Sequence, residues 1–248
     1  SWAGAGIVPP GNPDHAPTAC DLLRAHSSRM YPALSRELLQ ATGIDNGYLV
    51  CGGIEILDGV EDVSDEWRCE GIVFRELDGA GLRRCEPGLA PGLARGYFLP
   101  DMAQVRNPRH IKALRAACAG RGVRLMPGCA ARSLVLRGSR VEGIDTDQGR
   151  LHAGRYLIAA GAWSDALLEQ AGWRPGIRPV RGQIALLNTG TAGTRPVLLQ
   201  GKRYLVPRGD GRVLVGSTEE EAGFDALPTA RAIAGLLDFA ASLIPALG

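Results

Sequence analysis

Three short stretches of the chain combine small, apolar and aromatic residues in patterns that suit contact with a ligand. The chain opens on Ser1-Trp2-Ala3-Gly4-Ala5-Gly6-Ile7, whose small residues let a backbone approach a flat ligand closely. Residues 158–164 are an apolar run that ends in small residues before a helix start, a junction where open α/β sheets bind ligands. Residues 204–208 and 212–218 are two strand-like runs joined by Gly209-Asp210-Gly211, which predicts a hairpin carrying Tyr204.

Each stretch also has an ordinary structural interpretation, which the residues alone leave open. The Gly4-Ala5-Gly6 run could be a mobile loop, and the residues around Gly161 could serve close packing of a strand against a helix. A tyrosine such as Tyr204 on a strand is often a half-buried packing residue with its hydroxyl in solvent. Arg181, at a strand entry, is either a solvated charge or a substrate contact.

Other common kinds of site are not supported by the residue spacing. Gly4-Ala5-Gly6 has Pro9 where a phosphate loop would have its third glycine, and no strand precedes it. The four histidines form no HxxxH or HExxH pattern, and the six cysteines include no CxxC pair. We therefore expect no metal site, and reduced cysteines that serve only packing.

Composition is typical of an ordinary globular protein. The 248 residues are 45% hydrophobic and 22% charged, with a formal net charge of +2. This charge offers no electrostatic basis for binding nucleic acid or an acidic membrane surface. No apolar run is long enough to span a bilayer and no signal peptide is visible, which favours a cytoplasmic location.

Four motifs make the chain resemble the D-amino-acid oxidase family of FAD-dependent enzymes, and within it the glycine oxidases of the thiamine pathway. The opening run is similar to SWAGAG(I/M)xxP, and residues 159–164 are similar to (A/S)(A/S)GAW(S/T). Residues 204–218 follow (Y)(L/I)VPR…G…(L/V)VGxT, the most specific of the four patterns. Residues 97–109 are close to FxPxDxxVxP(R/Y). The resemblance covers all 248 residues.

The resemblance implies FAD as cofactor and assigns roles to particular residues. Tyr204 matches the tyrosine whose hydroxyl binds the substrate carboxylate. The residues implied to contact the cofactor are Ser1, Ala5, Gly6 and Ile7 beside the flavin ring, and Ala131, Ala160 and Gly161 along the rest of FAD.

The implied reaction is oxidation of glycine, or of another small amine or D-amino acid, to an imine that hydrolyses to a 2-oxo acid and ammonia, with hydrogen peroxide formed from molecular oxygen. Because the cofactor performs the difficult step, no catalytic Asp, His or Lys is expected. Alternatives with the same fold are a D-amino-acid dehydrogenase or a sarcosine-oxidase-like enzyme. A fragment or binding domain without the cofactor loop is an alternative of another class, and a homo-oligomer is left open.

The elements that must position these residues predict a mixed α/β fold. We expect a partial Rossmann-like FAD-binding domain (1–45 and 108–178) interrupted by an antiparallel-sheet substrate domain (46–107 and 179–248). The N-terminal βαβ unit and the C-terminal GxRP stretch of the family are expected to lie outside this chain.

Hydrophobic periodicity predicts the main elements. Helices are expected over 14–42, with a kink or break at Pro32, over 107–120 and after Pro228. The apolar run 156–160 predicts a strand buried on both faces of a parallel sheet. The last third predicts antiparallel strands, over 180–187, 197–200, 204–207 and 212–217.

Overall fold

A computed structural model describes residues 4–190 and 193–248. Its strands are β1 (Ile7–Val8), β2 (Leu49–Val50), β3 (Gly53–Ile56), β4 (Arg75–Asp78), β5 (Arg95–Leu99), β6 (Ala103–Gln104), β7 (Ala131–Arg137), β8 (Arg140–Thr146), β9 (Gly149–Leu151), β10 (Ile184–Asn188), β11 (Val197–Gln200), β12 (Arg203–Arg208) and β13 (Arg212–Gly216). Its α-helices are α1 (Ala19–Thr42), α2 (Ser64–Glu70), α3 (Gly79–Cys85), α4 (Asn107–Gly120), α5 (Ser164–Glu169) and α6 (Ala230–Leu243). The predicted mixed α/β class is confirmed.

The chain forms two compact units, which are described separately. The first comprises Ser1–Val123, Gly182–Thr218 and Pro228–Gly248, and the second Arg124–Arg181 and Glu219–Leu227. This division by compactness differs from the predicted division into cofactor and substrate segments. The functional division stays a prediction.

A seven-stranded sheet dominates the first unit, in the order β10-β13-β12-β11-β3-β5-β4. All its pairs are antiparallel except β11 with β3. The antiparallel strands predicted for the last third are confirmed as β10 to β13. The β12–β13 hairpin pairs Tyr204 with Gly216 and Arg208 with Arg212, and Gly211 takes a positive φ of 76° in its turn.

The two faces of this sheet bury different clusters, because successive side chains of a strand point to opposite faces. One face packs against α3 and α6; we call its buried residues the helix-face cluster: Ile54, Ile56, Leu77, Leu82, Leu89, Leu93, Leu198, Leu205, Val213, Val215, Leu236, Phe239, Ala240, Leu243 and Ile244. The opposite face carries the site-face cluster: Ile72, Leu99, Met102, Val197, Val206 and Leu214.

A small sheet of order β1-β6-β2 joins the start of the chain to the first unit. Helix α1 begins at Ala19 rather than at the predicted residue 14, because the Thr18 side chain accepts a hydrogen bond from the Asp21 amide and caps the helix there. The helix continues as one 24-residue element through Pro32, so of the predicted kink or break at this residue the break does not occur, and the kink stays a prediction. Helix α4 begins at Asn107 as predicted.

The second unit holds the three-stranded sheet β7-β8-β9 and helix α5. The strand predicted for residues 156–160 is wrong, since this run has no regular secondary structure and Leu157 is 89% exposed. A buried strand needs neighbours for its backbone groups, and no strand among the described residues pairs with this run. Within residues 4–190 and 193–248 no helix combines the length and the apolar character needed to cross a membrane.

Candidate functional site

The opening segment, residues 4–8, lies against the site face of the large sheet. Ala5 and Ile7 are half-buried and pack on the site-face cluster. Gly6 has a positive φ of 72°, and a Cβ built there would lie 2.0 Å from the Val105 carbonyl oxygen. The Val105 amide donates to the Gly6 carbonyl at 2.7 Å. Only glycine fits at this position, because any side chain would collide with the Val105 backbone; contact with a ligand is not needed to explain the glycine. Ser1 lies outside the described residues.

Arg208 ties this segment to the sheet. Its Nη2 donates to the Ala5 carbonyl at 2.6 Å, and its Nη1 donates to Gln104 Oε1 at 2.8 Å and to the Val105 carbonyl at 3.2 Å. Burial lowers the pKa of Arg208, with a further lowering from the charge of Arg106. Sequence analysis assigned Arg208 no role, although its spacing from Tyr204 on one strand indicates that both side chains share a face.

Tyr204 lies on the same face of β12 as Arg208 and packs on the site-face cluster. Its ring leans over Gly216 of the neighbouring strand. A Cβ built at Gly216 would lie 2.5 Å from a ring carbon and 2.6 Å from the phenol oxygen. The phenol therefore occupies space that a side chain at position 216 would fill. Gly216 pairs on its other side with Ile184 of β10.

A cavity of about 580 Å³ opens between the opening segment, α4 and this end of the sheet. We call it the basic cavity; its lining residues are Gly4, Arg106, Pro108, Arg109, Ile184, Leu186, Arg208 and Leu214. Apolar side chains form one part of the wall and three guanidinium groups another. Arg106 is held by an ion pair with Asp210 at 2.6 Å. The size lies in the range of small-molecule sites.

A second cavity, of about 790 Å³, opens on the same face where α1 and α2 approach it. Trp67, Leu99, Met102 and Leu199 are among its lining residues, together with an ion pair of Arg24 and Glu70 at 2.6 Å. Leu199 pairs with Tyr204 across β11 and β12. The phenol nevertheless leans the other way, over Gly216, so the basic cavity is the better candidate site.

The remaining residues predicted to contact the cofactor lie in the second unit. Ala131 is the exposed first residue of β7, where it pairs with Thr146. Ala160 is half-buried and accepts a backbone hydrogen bond from Trp163 at 3.1 Å. Gly161 is exposed, has a positive φ of 56° and has open space where a Cβ would be. The structure thus groups Ala5, Gly6, Ile7 and Tyr204 in one unit, and Ala131, Ala160 and Gly161 in the other.

Arg181, for which the sequence leaves two interpretations, is paired with acidic neighbours in the second unit. Its guanidinium forms ion pairs with Glu220 at 2.5 Å and with Asp225 at 2.9 Å, and it also donates to the Leu227 carbonyl. These contacts favour a structural role for Arg181 over direct contact with substrate. Over the described parts of the chain, no group of three or more His, Cys, Asp or Glu side chains could hold a metal ion.

The chain is similar to known FAD-dependent oxidoreductases over its whole length. The family model for FAD dependent oxidoreductases (DAO) matches residues 1–248. The glycine oxidase of Pseudomonas putida is 35% identical over 254 residues, which cover all of this chain and 68% of that protein. The bifunctional protein ThiO/ThiG of Synechocystis is 32% identical, over all of this chain and 37% of that protein.

Among solved structures, glycine oxidase from Geobacillus kaustophilus matches with a TM-score of 0.91 and 28% identity, over all of this chain and 68% of that one. The fold, the motifs and the family model agree over the whole sequence. The chain belongs to the family of FAD-dependent oxidoreductases.

Proposed function

We propose that this protein oxidises glycine or another small amine or D-amino acid to the imine, with FAD as cofactor and molecular oxygen as electron acceptor. The observation that carries the proposal is that Tyr204 and the opening segment pack on the same site-face cluster, whose Leu214 also lines the basic cavity. The similarity to glycine oxidases supports the choice of substrate. When bound, FAD supplies the two-electron oxidation of the substrate carbon–nitrogen bond.

The residues around the basic cavity fit a flavin ring. Ile184, Leu186 and Leu214 offer an apolar wall suited to a flat aromatic system. Arg106, Arg109 and Arg208 offer hydrogen-bond donors and positive charge, which suit a ring that gains negative charge when it accepts electrons. We therefore place Ala5, Gly6 and Ile7 at the ring. Ala131, Ala160 and Gly161 are proposed to contact the rest of FAD, and Ser1 keeps its role as a sequence prediction.

In this proposal the protein binds and orients the substrate and does little acid–base chemistry. The Tyr204 phenol donates a hydrogen bond to the substrate carboxylate, and the arginine side chains add a favourable potential for that anion. The apolar wall excludes water from the reacting carbon. None of the described residues that line the basic cavity is an Asp, Glu or His.

The finer assignments remain proposals. A place in thiamine biosynthesis is supported by the similarity to the ThiO/ThiG protein. A cytoplasmic location stays a prediction from the sequence, and the oligomeric state stays open. The dehydrogenase and sarcosine-oxidase-like alternatives differ from the main proposal in electron acceptor and in substrate, so both are open to direct assay.

Replacing Tyr204 with Phe tests the proposal on protein expressed from its complete reading frame. Loss of one hydrogen bond to a charged group should raise KM for glycine by about tenfold, with the flavin absorbance retained. Tyr31→Phe is the matched control, because its ring stacks on Tyr48 and packs on Val8, Ala103 and Val105 rather than on the site-face cluster that holds Tyr204.

Peroxide formation with glycine, sarcosine and D-alanine, measured on the same preparations, identifies the substrate. A colourless native protein, or one that transfers electrons only to an artificial acceptor, would contradict the oxidase proposal. An unchanged KM in the Tyr204→Phe protein would remove Tyr204 from the site.

A further inference from the structure

Arg208 is a partly buried cation whose hydrogen-bond acceptors among the described residues are all uncharged. The three oxygens that it contacts are the Ala5 carbonyl, the Val105 carbonyl and the side-chain amide of Gln104. The carboxylate of Asp210 acts on Arg208 only through space and is itself paired with Arg106 and Arg212. Placing a cation in such surroundings costs free energy, so an apolar side chain would fill the same space at lower cost.

The two ends of the Arg208 guanidinium contact different parts of the chain. Nη2 reaches the Ala5 carbonyl, 203 positions earlier in the sequence, while Nη1 reaches Gln104 and Val105 at the end of β6. Gln104 is itself buried and pairs with Ile7 of β1. The guanidinium therefore links the opening segment and the end of β6 to β12, in addition to the β1–β6 pairing, the Val105–Gly6 hydrogen bond and the packing of Ala5 and Ile7 on the site-face cluster.

We propose that Arg208 is the positioning residue that holds residues 4–8 on the site face and so fixes one wall of the basic cavity. The proposal rests on the proposed function, in which that wall lies against the flavin ring. The cavity has Gly4 on one side and Ile184 and Leu214 on the other. Release of the Ala5 carbonyl would let the Gly4 side move while the strands stay in place.

The geometry requires an arginine and not just a positive charge. A planar guanidinium donates from two nitrogens in fixed directions, so one side chain can hold two pieces of backbone in a set relation. A lysine ammonium in the same place could reach one acceptor group well, but not both ends of this bridge. Lysine at 208 should therefore restore the opening segment only in part.

Hydrogen–deuterium exchange on the protein from its complete reading frame, without FAD and with FAD, tests this directly. In Arg208→Met, amides of residues 4–8 and 103–106 should exchange about tenfold faster, because the three hydrogen bonds from the guanidinium are lost locally. Arg208→Lys should give an intermediate increase. Amides of α6 should exchange at the native rate in both variants.

Arg212→Met is the matched control. Arg212 lies directly opposite Arg208 on β13, and its guanidinium pairs with Asp210 at 3.2 Å. Its exchange pattern in residues 4–8 and 103–106 should equal that of the native protein. A second measurement is the Kd of FAD, which should rise about tenfold in Arg208→Met and less in Arg208→Lys.

The proposal is overturned by native exchange rates at residues 4–8 and 103–106 in Arg208→Met, by an equal increase in Arg212→Met, or by a uniform increase that includes α6. If Arg208→Lys exchanged at the native rate throughout residues 4–8 and 103–106, the positive charge of Arg208 alone would be sufficient, and the positioning role would be contradicted. Failure of the proposed function would be visible separately, as absence of flavin from the native protein. The exchange arm without FAD still decides the role of Arg208 in that case.

Discussion

The two faces of the seven-stranded sheet are made from the same strands but differ in composition. On β12, Leu205 belongs to the helix-face cluster, whereas its neighbours Tyr204 and Val206 belong to the opposite face, together with Arg208. The helix face is closed by α6 and is apolar throughout its buried cluster. The site face contains a phenol, a guanidinium and, on β3, the carboxyl group of Glu55. Because side chains alternate along a strand, the buried apolar residues that stabilise the fold can lie on one face while polar groups lie on the other.

The largest effect is expected on the helix face. Leu205 is 0% exposed, so Leu205→Ala should leave a cavity and lower the free energy of unfolding by about 2–5 kcal/mol. Leu186→Ala, on the other face and 55% exposed, should change it by no more than about 0.5 kcal/mol. Urea unfolding of the two variants measures both values. Similar losses in the two proteins would show that the faces do not divide the stability in this way.

The second prediction concerns Glu55 on the site face, whose titration should make the free energy of unfolding depend on pH. Burial raises the pKa of Glu55 from 4.5 to about 7, against a smaller lowering by a hydrogen bond from the Gly201 amide. In the unfolded chain the carboxyl loses its proton first, so the free energy of unfolding should fall as pH rises from 4.5 to about 7. The whole contribution amounts to about 3 kcal/mol at most.

Replacing Glu55 with Gln removes the titration and should flatten this part of the stability curve. Glu76→Gln is the control, because Glu76 lies on the same row of the sheet but is exposed and paired with Arg95 at 2.9 Å. Unfolding midpoints between pH 4.5 and 7 in matched buffers provide the measurement. The same pH slope in the native and Glu55→Gln proteins would contradict the assignment.

Much of the large sheet could be predicted because its pattern is local. The antiparallel strands β10 to β13 are marked by short apolar runs and glycine turns, and the start of α4 at Asn107 is marked by Pro108 in its first turn. The same local pattern failed for residues 156–160, where apolar character alone predicted a buried strand. A strand also needs a partner, and partners depend on segments that are distant in sequence.

The candidate site could be predicted only in part for the same reason. The motif that contains Tyr204 was visible, and the structure places Tyr204 on the same face as Ala5 and Ile7. The role of Arg208 was not visible, because its acceptor at Ala5 is 203 positions away and is a backbone carbonyl that any residue type would supply. Position 6 likewise needs glycine because a Cβ there would collide with the Val105 carbonyl. Val105 is distant in the sequence, so the residues around Gly6 do not predict this requirement.

The smallest expected effect on stability, and the one most specific to the site face, is at Gly216. An alanine there would place its Cβ 2.5 Å from the ring of Tyr204, but the ring is the free end of a side chain and can turn away. We therefore expect Gly216→Ala to cost about 1 kcal/mol of unfolding free energy while displacing the phenol and raising KM for glycine. Gly209→Ala, in the turn of the same hairpin with open space around its Cβ, should change neither quantity. If Gly216→Ala displaced the ring, seen as a change in tyrosine exposure to solvent, and left KM unchanged, the phenol would be a packing group and the site face would owe its chemistry to the arginines alone.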